Sequence, residues 1–299
     1  MNKIGLHRYG VAVSLWILIL IATGSMVTTE GGALAIPDWP LAFGSLFPSG
    51  HLNGAVWVGL IHRYMAAVAF FLAIGLVLVA YRTSRQRAVQ NLAGLTLLLL
   101  AAQVALGGAI VFWGAPDWAG FIHAGLAQLT LLAAAAVAFL SWPGMESHPG
   151  YVHDYGWPSL RALALWTPVL VFGQIVLGAL ARHHILGLIP HMVGAMIVGG
   201  LVLLFALFTL TQCPNHEGLR VLATAVLLVL AGQVVLGLMT YMGGAASEGQ
   251  ATASLWAVGM AAAHVAGGGV LLVFSSLLAL QIRRCVLPKL AATGVEAAS

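Results

Sequence analysis

Apolar and polar positions alternate along this chain on a long scale, with runs of about twenty apolar residues broken by short polar stretches. The runs cover about residues 11–29, 54–80, 90–112, 119–141, 160–180, 186–211, 219–241 and 254–280. Each is long enough to cross a hydrocarbon core of about 30 Å as a helix. None shows the two-residue alternation of a barrel strand. The pattern predicts an all-α integral membrane protein with eight transmembrane helices.

Composition agrees: 61% of the residues are hydrophobic, 7% are charged, and the mean hydropathy is +1.00, well outside the range of soluble domains. Lys3 and Arg8 ahead of the first run suggest a signal peptide, but the run is too long for one and no small-residue cleavage site precedes the polar loop, so a retained helix is expected. The N-terminus also lacks the Arg- and Ser-rich character of an organelle transit peptide, which points to a prokaryotic inner membrane. Lys3, Arg8, Arg82, Arg85, Arg87, Arg161, Arg220, Arg283, Arg284 and Lys289 fall on one side of the predicted bundle, and only Arg182 falls in a loop on the other. By the positive-inside rule both termini are cytoplasmic. The net charge of +4 reflects this topology and gives no reason to expect a nucleic-acid partner. Cys213 and Cys285 map to the reducing side, match no zinc or redox spacing, and are expected to stay free.

The runs carry an internal repeat. "QVALGGAI" (103–110), "QIVLGALA" (174–181) and "QVVLGLMT" (233–240) each lie near the outer end of an odd-numbered helix, and the next helix then brings a histidine: His123, His191 and His264. A degenerate version, "ATGSMVTTEGG", precedes His62. The unit is a helical hairpin used four times, which groups into two tandem pseudo-symmetric four-helix bundles. The predicted organisation is an N-terminal half (1–142), a Pro- and Gly-rich cytoplasmic linker (143–159) and a C-terminal half (160–299).

Of eleven histidines, His7, His51, His148, His153, His183, His184 and His216 fall in loops or at a terminus and are expected to be solvated. The other four occupy equivalent places in the even helices. Ionisable groups in a membrane interior are costly and mark function. Facing imidazoles inside four-helix bundles are suited to hold haem iron, and the expected ligands are His62, His123, His191 and His264. A flat porphyrin needs a slot, and small residues follow each histidine: Ala66 and Ala67, Gly125 and Ala127, Gly194 and Ala195, and Gly267 to Gly269. Such residues also serve close helix packing. Arg63, beside His62, and Arg182, just before His191, are placed to meet haem propionates at the boundary, or to act as interfacial anchors.

The outer loop "GSMVTTEGGALAIPDWPLAFGSLFP" (24–48) followed by "IHRYMA", together with eight helices in two halves and one histidine in each even helix, resembles the heme A synthase family. The resemblance covers nearly the whole chain. It implies oxidation of the C8 methyl of heme O to the formyl of heme A for terminal oxidase assembly. It also implies a heme b cofactor between His191 and His264, and heme O as substrate beside His62 and His123. Heme O synthase and an electron acceptor are implied as partners, and a homo-oligomer is compatible. Two departures stand out: the glutamate that many members carry three residues before the first histidine is Gly59 here, and the outer cysteine pair of some members is absent. Asp38, in "IPDWPL", is the substitute acid to consider for catalysis, although an aspartate beside proline and tryptophan also makes turns. Two other readings stay open, a homologue that binds or transfers heme without oxidising it and a diheme b-type cytochrome; a transporter is less suited to helices this poor in polar groups.

Overall fold

The computed structural model describes residues 2–50, 53–146, 150–154, 157–246 and 254–288; His51, His148 and Lys289 lie outside them. Among the described residues, eight helices are long and apolar enough to cross a membrane: α1 (Lys3–Thr29), α2 (Gly54–Thr83), α3 (Arg87–Phe112), α4 (Asp117–Leu140), α5 (Leu160–Arg182), α6 (Leu188–Gln212), α7 (Glu217–Ala246) and α8 (Leu255–Cys285). The protein is an all-α, eight-span membrane protein.

The main difference from the apolar pattern is at α1, which begins at Lys3 rather than near residue 11. The Asn2 side chain caps it, accepting from the Gly5 N–H at 2.9 Å, so the charged residues Lys3 and Arg8 extend the helix instead of preceding it. Asn53 and Ser254 cap α2 and α8 in the same way. Arg82 and the Arg283–Arg284 pair lie in the last turns of α2 and α8, where cations complement the helix dipole.

The packing is the same in each half. In the first, α1 packs on α2, α2 on α3, α3 on α4 and α4 back on α1; in the second, α5 to α8 close an equivalent ring. The rings meet along a seam formed by α4 against α8, flanked by α1 on α8 and α4 on α5, the relation expected of a pseudo-two-fold axis. On that seam Gln128 is almost fully buried and donates to the Val265 carbonyl at 3.5 Å. Gly269, at the matching place on α8, leaves the room: a Cβ there would collide with the Gln128 amide oxygen.

Each ring has a large apolar core, and both cores lie toward the end of the bundle where α1 begins and α8 ends. Leu6, Val13, Ile17, Leu76, Leu100 and Val137 anchor the first, and Leu160, Val171, Phe205, Leu219, Leu278 and Ile282 the second. The four helix histidines sit toward the opposite end, the histidine end, among Gly and Ala. At the terminal end, residues 150–154 pair with the segment after α8 in a short parallel ladder, β1 (Val152–His153) with β2 (Val286–Leu287). Asp154, almost fully buried, accepts from the Leu160 and Arg161 N–H groups at 3.1 Å each, and the Arg161 side chain donates to the Val286 carbonyl at 2.6 Å. Cys213 and Cys285 are buried free thiols at this end; burial pushes Cys213 up to about 11.

Candidate functional site

The repeated "Q-x-x-x-G" explains how each histidine is seated. In the C-terminal ring the glycine of the odd helix lies under the imidazole of the even one: a Cβ at Gly178 would stand 2.8 Å from Cε1 of His191, and one at Gly237 would stand 3.1 Å from Cε1 of His264. Gln174, one turn before Gly178, donates from its amide nitrogen to the His191 carbonyl at 2.8 Å and lies 2.9 Å from Nδ1. Gly194 and Gly267, each three residues after its histidine, give space to the Gln174 and Gln233 side chains. In both hairpins glycine admits the histidine's ring; Gln174 also braces the helix of its histidine, whereas the amide nitrogen of Gln233 is buried without a hydrogen-bond partner.

The two clamps face each other. The His191 and His264 rings have centroids 6.3 Å apart and planes at 86°. An iron bonded to one nitrogen of each ring at about 2 Å, with roughly 1 Å from each nitrogen to its ring centre, requires about 6 Å. His264 Nδ1 is buried with no hydrogen-bond partner. Among the described residues no group of three or more His, Cys, Asp or Glu side chains is placed to hold a metal ion, and His191 and His264 are the residues that would hold an iron here.

The N-terminal ring uses the same plan with substitutions. Gln103 donates to the His123 carbonyl at 2.9 Å, but a Cβ at Gly107 would lie 3.7 Å from that ring, a looser seat. In the first hairpin Leu20 replaces the glutamine. Gly24 presses closely on His62, where a Cβ would stand 2.9 Å from Cε1, and the Thr23 hydroxyl lies 3.2 Å from His62 Nδ1 while donating to the Leu20 carbonyl at 2.9 Å. With its one proton committed to Leu20, Thr23 accepts from Nδ1–H, which leaves Nε2 of His62 with its lone pair. His123 Nδ1 is buried without a partner. The His62 and His123 rings do not make the ring contact seen between His191 and His264.

Over this second site lies the loop between α1 and α2, and Arg63 holds it there. Its Nη1 donates to the carbonyls of Asp38 (2.7 Å) and Leu41 (2.9 Å), and its Nη2 to that of Ile36 (3.3 Å). Both terminal nitrogens thereby donate to the loop. The Tyr64 hydroxyl donates to the Leu46 carbonyl. The Trp39 ring packs on Gly108 of α3, next to the glycine beneath His123, and meets Phe112 edge-on with centroids 6.4 Å apart. Beneath the loop, Ile36, Ala42, Val56 and Leu60 form a small core. A Cβ at Gly59 would already be 3.3 Å from Ile36 Cδ1, so the loop packs closely on this turn of α2.

Asp38 serves this loop. Its two carboxylate oxygens accept from the Phe43 and Gly44 N–H groups at 2.7 Å each, and the bond from Gly44 leads the causes that hold its carboxyl below the usual range. A carboxylate so committed is a poor proton acceptor.

Three histidines expected in solvent have structural contacts instead. His7 hydrogen-bonds the Ala138 carbonyl of α4 at 2.9 Å, and His216 accepts from the Leu219 N–H at 3.3 Å at the start of α7. His183 is half-buried against Gly120 of α4, three residues before His123, and desolvation lowers its pKa, followed by the charge of Arg182. Arg182 itself leaves the C-terminal ring to reach α1, donating from Nη2 to the Ser25 carbonyl at 2.7 Å and to the Thr29 hydroxyl. No periodic signal marks either contact, since each joins residues far apart in the chain.

Four imidazoles, three of them braced by Thr23, Gln103 or Gln174, thus lie in two pairs, one beneath the loop between α1 and α2 and the other ring against ring, and are donors that could hold haem iron. The model of the cytochrome oxidase assembly protein family matches residues 49–136, which include His62 and His123. The chain is 21% identical over 265 residues to the heme A synthase of Staphylococcus aureus strain bovine RF122 / ET3-1, covering 81% of this chain and 87% of that protein. It is 22% identical over 267 residues, with the same coverage, to the heme A synthases of strains JH9 and Newman. Over most of its length, and on an eight-helix frame, the chain is thus similar to heme A synthases, and over residues 49–136 to the cytochrome oxidase assembly protein family.

Proposed function

We propose that this protein is a heme A synthase, which oxidises the C8 methyl group of heme O to the formyl group of heme A within a prokaryotic cell membrane. The histidine end faces outward, and both termini are cytoplasmic, as the Lys and Arg distribution supports. The C-terminal half (160–299) holds heme b between His191 and His264, the linker (143–159) is cytoplasmic, and the N-terminal half (1–142) receives heme O between His62 and His123. The observation that carries the reading is the 6.3 Å spacing of the His191 and His264 rings, each seated on a glycine of the preceding helix.

When bound, heme b supplies one-electron redox chemistry beside the substrate site. The protein's own residues do the rest. Thr23 orients His62 with Nε2 toward its ligand, and Gln103 braces the helix that carries His123. The loop pinned by Arg63 covers the N-terminal site. An electron acceptor and a heme O synthase are the partners this chemistry requires, and the reading accommodates a homo-oligomer.

The test is extraction and chromatography of the hemes bound to purified protein after co-expression with a heme O synthase in a host that lacks heme A. Heme A or its hydroxylated precursor is the expected result. Heme O recovered unchanged beside heme b would instead assign heme binding or transfer without oxidation, the reading that apolar packing at Gly59 favours. Heme b alone, low-spin in both sites, would identify a diheme cytochrome.

A further inference from the structure

We propose that Arg182 and His183, although carried by the C-terminal half, complete the N-terminal site and hold a carboxylate of the porphyrin bound there. The inference rests on the reading that His62 and His123 flank a heme.

Consecutive in the chain, the two residues reach different helices of the neighbouring ring. Arg182 bonds the last turn of α1 at Ser25 and Thr29, immediately after Gly24, on which the His62 ring rests. His183 lies in the space left by Gly120 on α4, one turn before His123. Since α1 and α4 are neighbours in the N-terminal ring, the Arg182–His183 pair spans the gap between them at the level of both proposed ligands.

Charge makes the same point. A porphyrin with two propionates needs cations at the membrane boundary, and the arginine native to the N-terminal ring, Arg63, has both terminal nitrogens on loop carbonyls. Arg182 is differently placed. Its bonds to α1 both leave from Nη2 and go to neutral oxygens, and no acidic side chain among the described residues forms an ion pair with it. A largely buried guanidinium with so little compensation calls for an anion. Asp117, in the first turn of α4, lies near His183 but makes no such pair with Arg182. Arg182 also acts electrostatically on His264, so the rival assignment is a carboxylate of the C-terminal heme.

The two are separated by titrating apo protein in detergent with iron protoporphyrin IX and with its dimethyl ester, following Soret absorbance in two backgrounds. His191→Ala with His264→Ala leaves the N-terminal site, and His62→Ala with His123→Ala leaves the C-terminal one. In the N-terminal background the free acid is expected to bind at least about tenfold tighter than the ester. Arg182→Gln and His183→Leu should each weaken the acid alone, Arg182→Lys should recover part of the loss, and the C-terminal background should be indifferent to all three. Equal weakening of acid and ester would mark a structural role and overturn the proposal, as would an effect confined to the C-terminal background. No binding of either porphyrin in the N-terminal background, with the C-terminal background binding normally, would overturn the underlying reading of His62 and His123.

Discussion

The two histidine pairs come from one repeated hairpin, yet they have diverged in opposite directions. The C-terminal pair is nearly symmetric: the same glutamine, the same glycine one turn on, the same glycine three residues after each histidine, and rings 6.3 Å apart. The N-terminal pair has lost that match. Leu20 and Thr23 replace the first brace, the seat at Gly107 is loose, and the loop between α1 and α2 is folded over one face. A permanently held group is served by rigid, equivalent ligands. A group that must enter, react and leave is served by a looser seat and a cover, and the difference supports the division into cofactor and substrate halves.

The comparison can be broken most directly at the ligands. His264→Ala is expected to abolish retention of heme in the C-terminal half and lower synthase activity at least about 100-fold, read by the pyridine hemochrome spectrum and product analysis. If His62→Ala removes the same tightly held heme, the assignment of halves is wrong. The glycine seats come next: Gly178→Ala and Gly24→Ala should cost about 1–3 kcal/mol in heme binding through overpacking, while Gly107→Ala, with a Cβ 3.7 Å from its histidine, should be tolerated. Heme affinities measured across the series check that order.

Arg63→Ala should sharpen the contrast further. Losing charge-assisted bonds worth about 1.5–3 kcal/mol frees the loop, so protease cleavage within residues 30–48 should rise and the apparent KM for heme O increase, with the low-spin spectrum of the C-terminal heme unchanged. The smallest effect is expected from pH. Asp38 has a folded pKa below its unfolded value of about 4, so its support of the loop is fully present above that value and is lost only as pH falls through the lowered one. Loop proteolysis should therefore be flat from about pH 8 to 5, and Asp38→Asn should raise it uniformly across that range.

The helices and the four ligand candidates are legible in the sequence because both depend on local regularities, apolar length in one case and a repeated spacing in the other. The start of α1 is not, since a hydropathy pattern stops at Lys3 and Arg8 whereas the Asn2 cap continues the helix through them. The glutamines and glycines of "Q-x-x-x-G" are visible as a repeat, but their duty appears only when the next helix places its histidine against them. Arg63 stands out by its position beside His62, and its partners, carbonyls 22 to 27 residues earlier, leave no sequence signature. Arg182 reaches 153 to 157 residues back to α1, a contact set by how two rings dock.

The ring closures also impose an order in time. A chain made from its N-terminus can close the first ring once α4 is in the membrane, but α8 is a wall of the second ring and also one side of the seam, and β2 behind it fastens the linker strand β1. The hairpin carrying His191 therefore waits, through the synthesis of about seventy residues, for the helix that brings His264. The C-terminal histidine pair is accordingly the last of the two to be assembled, and a chain that stops before α8 has its first ring without its second.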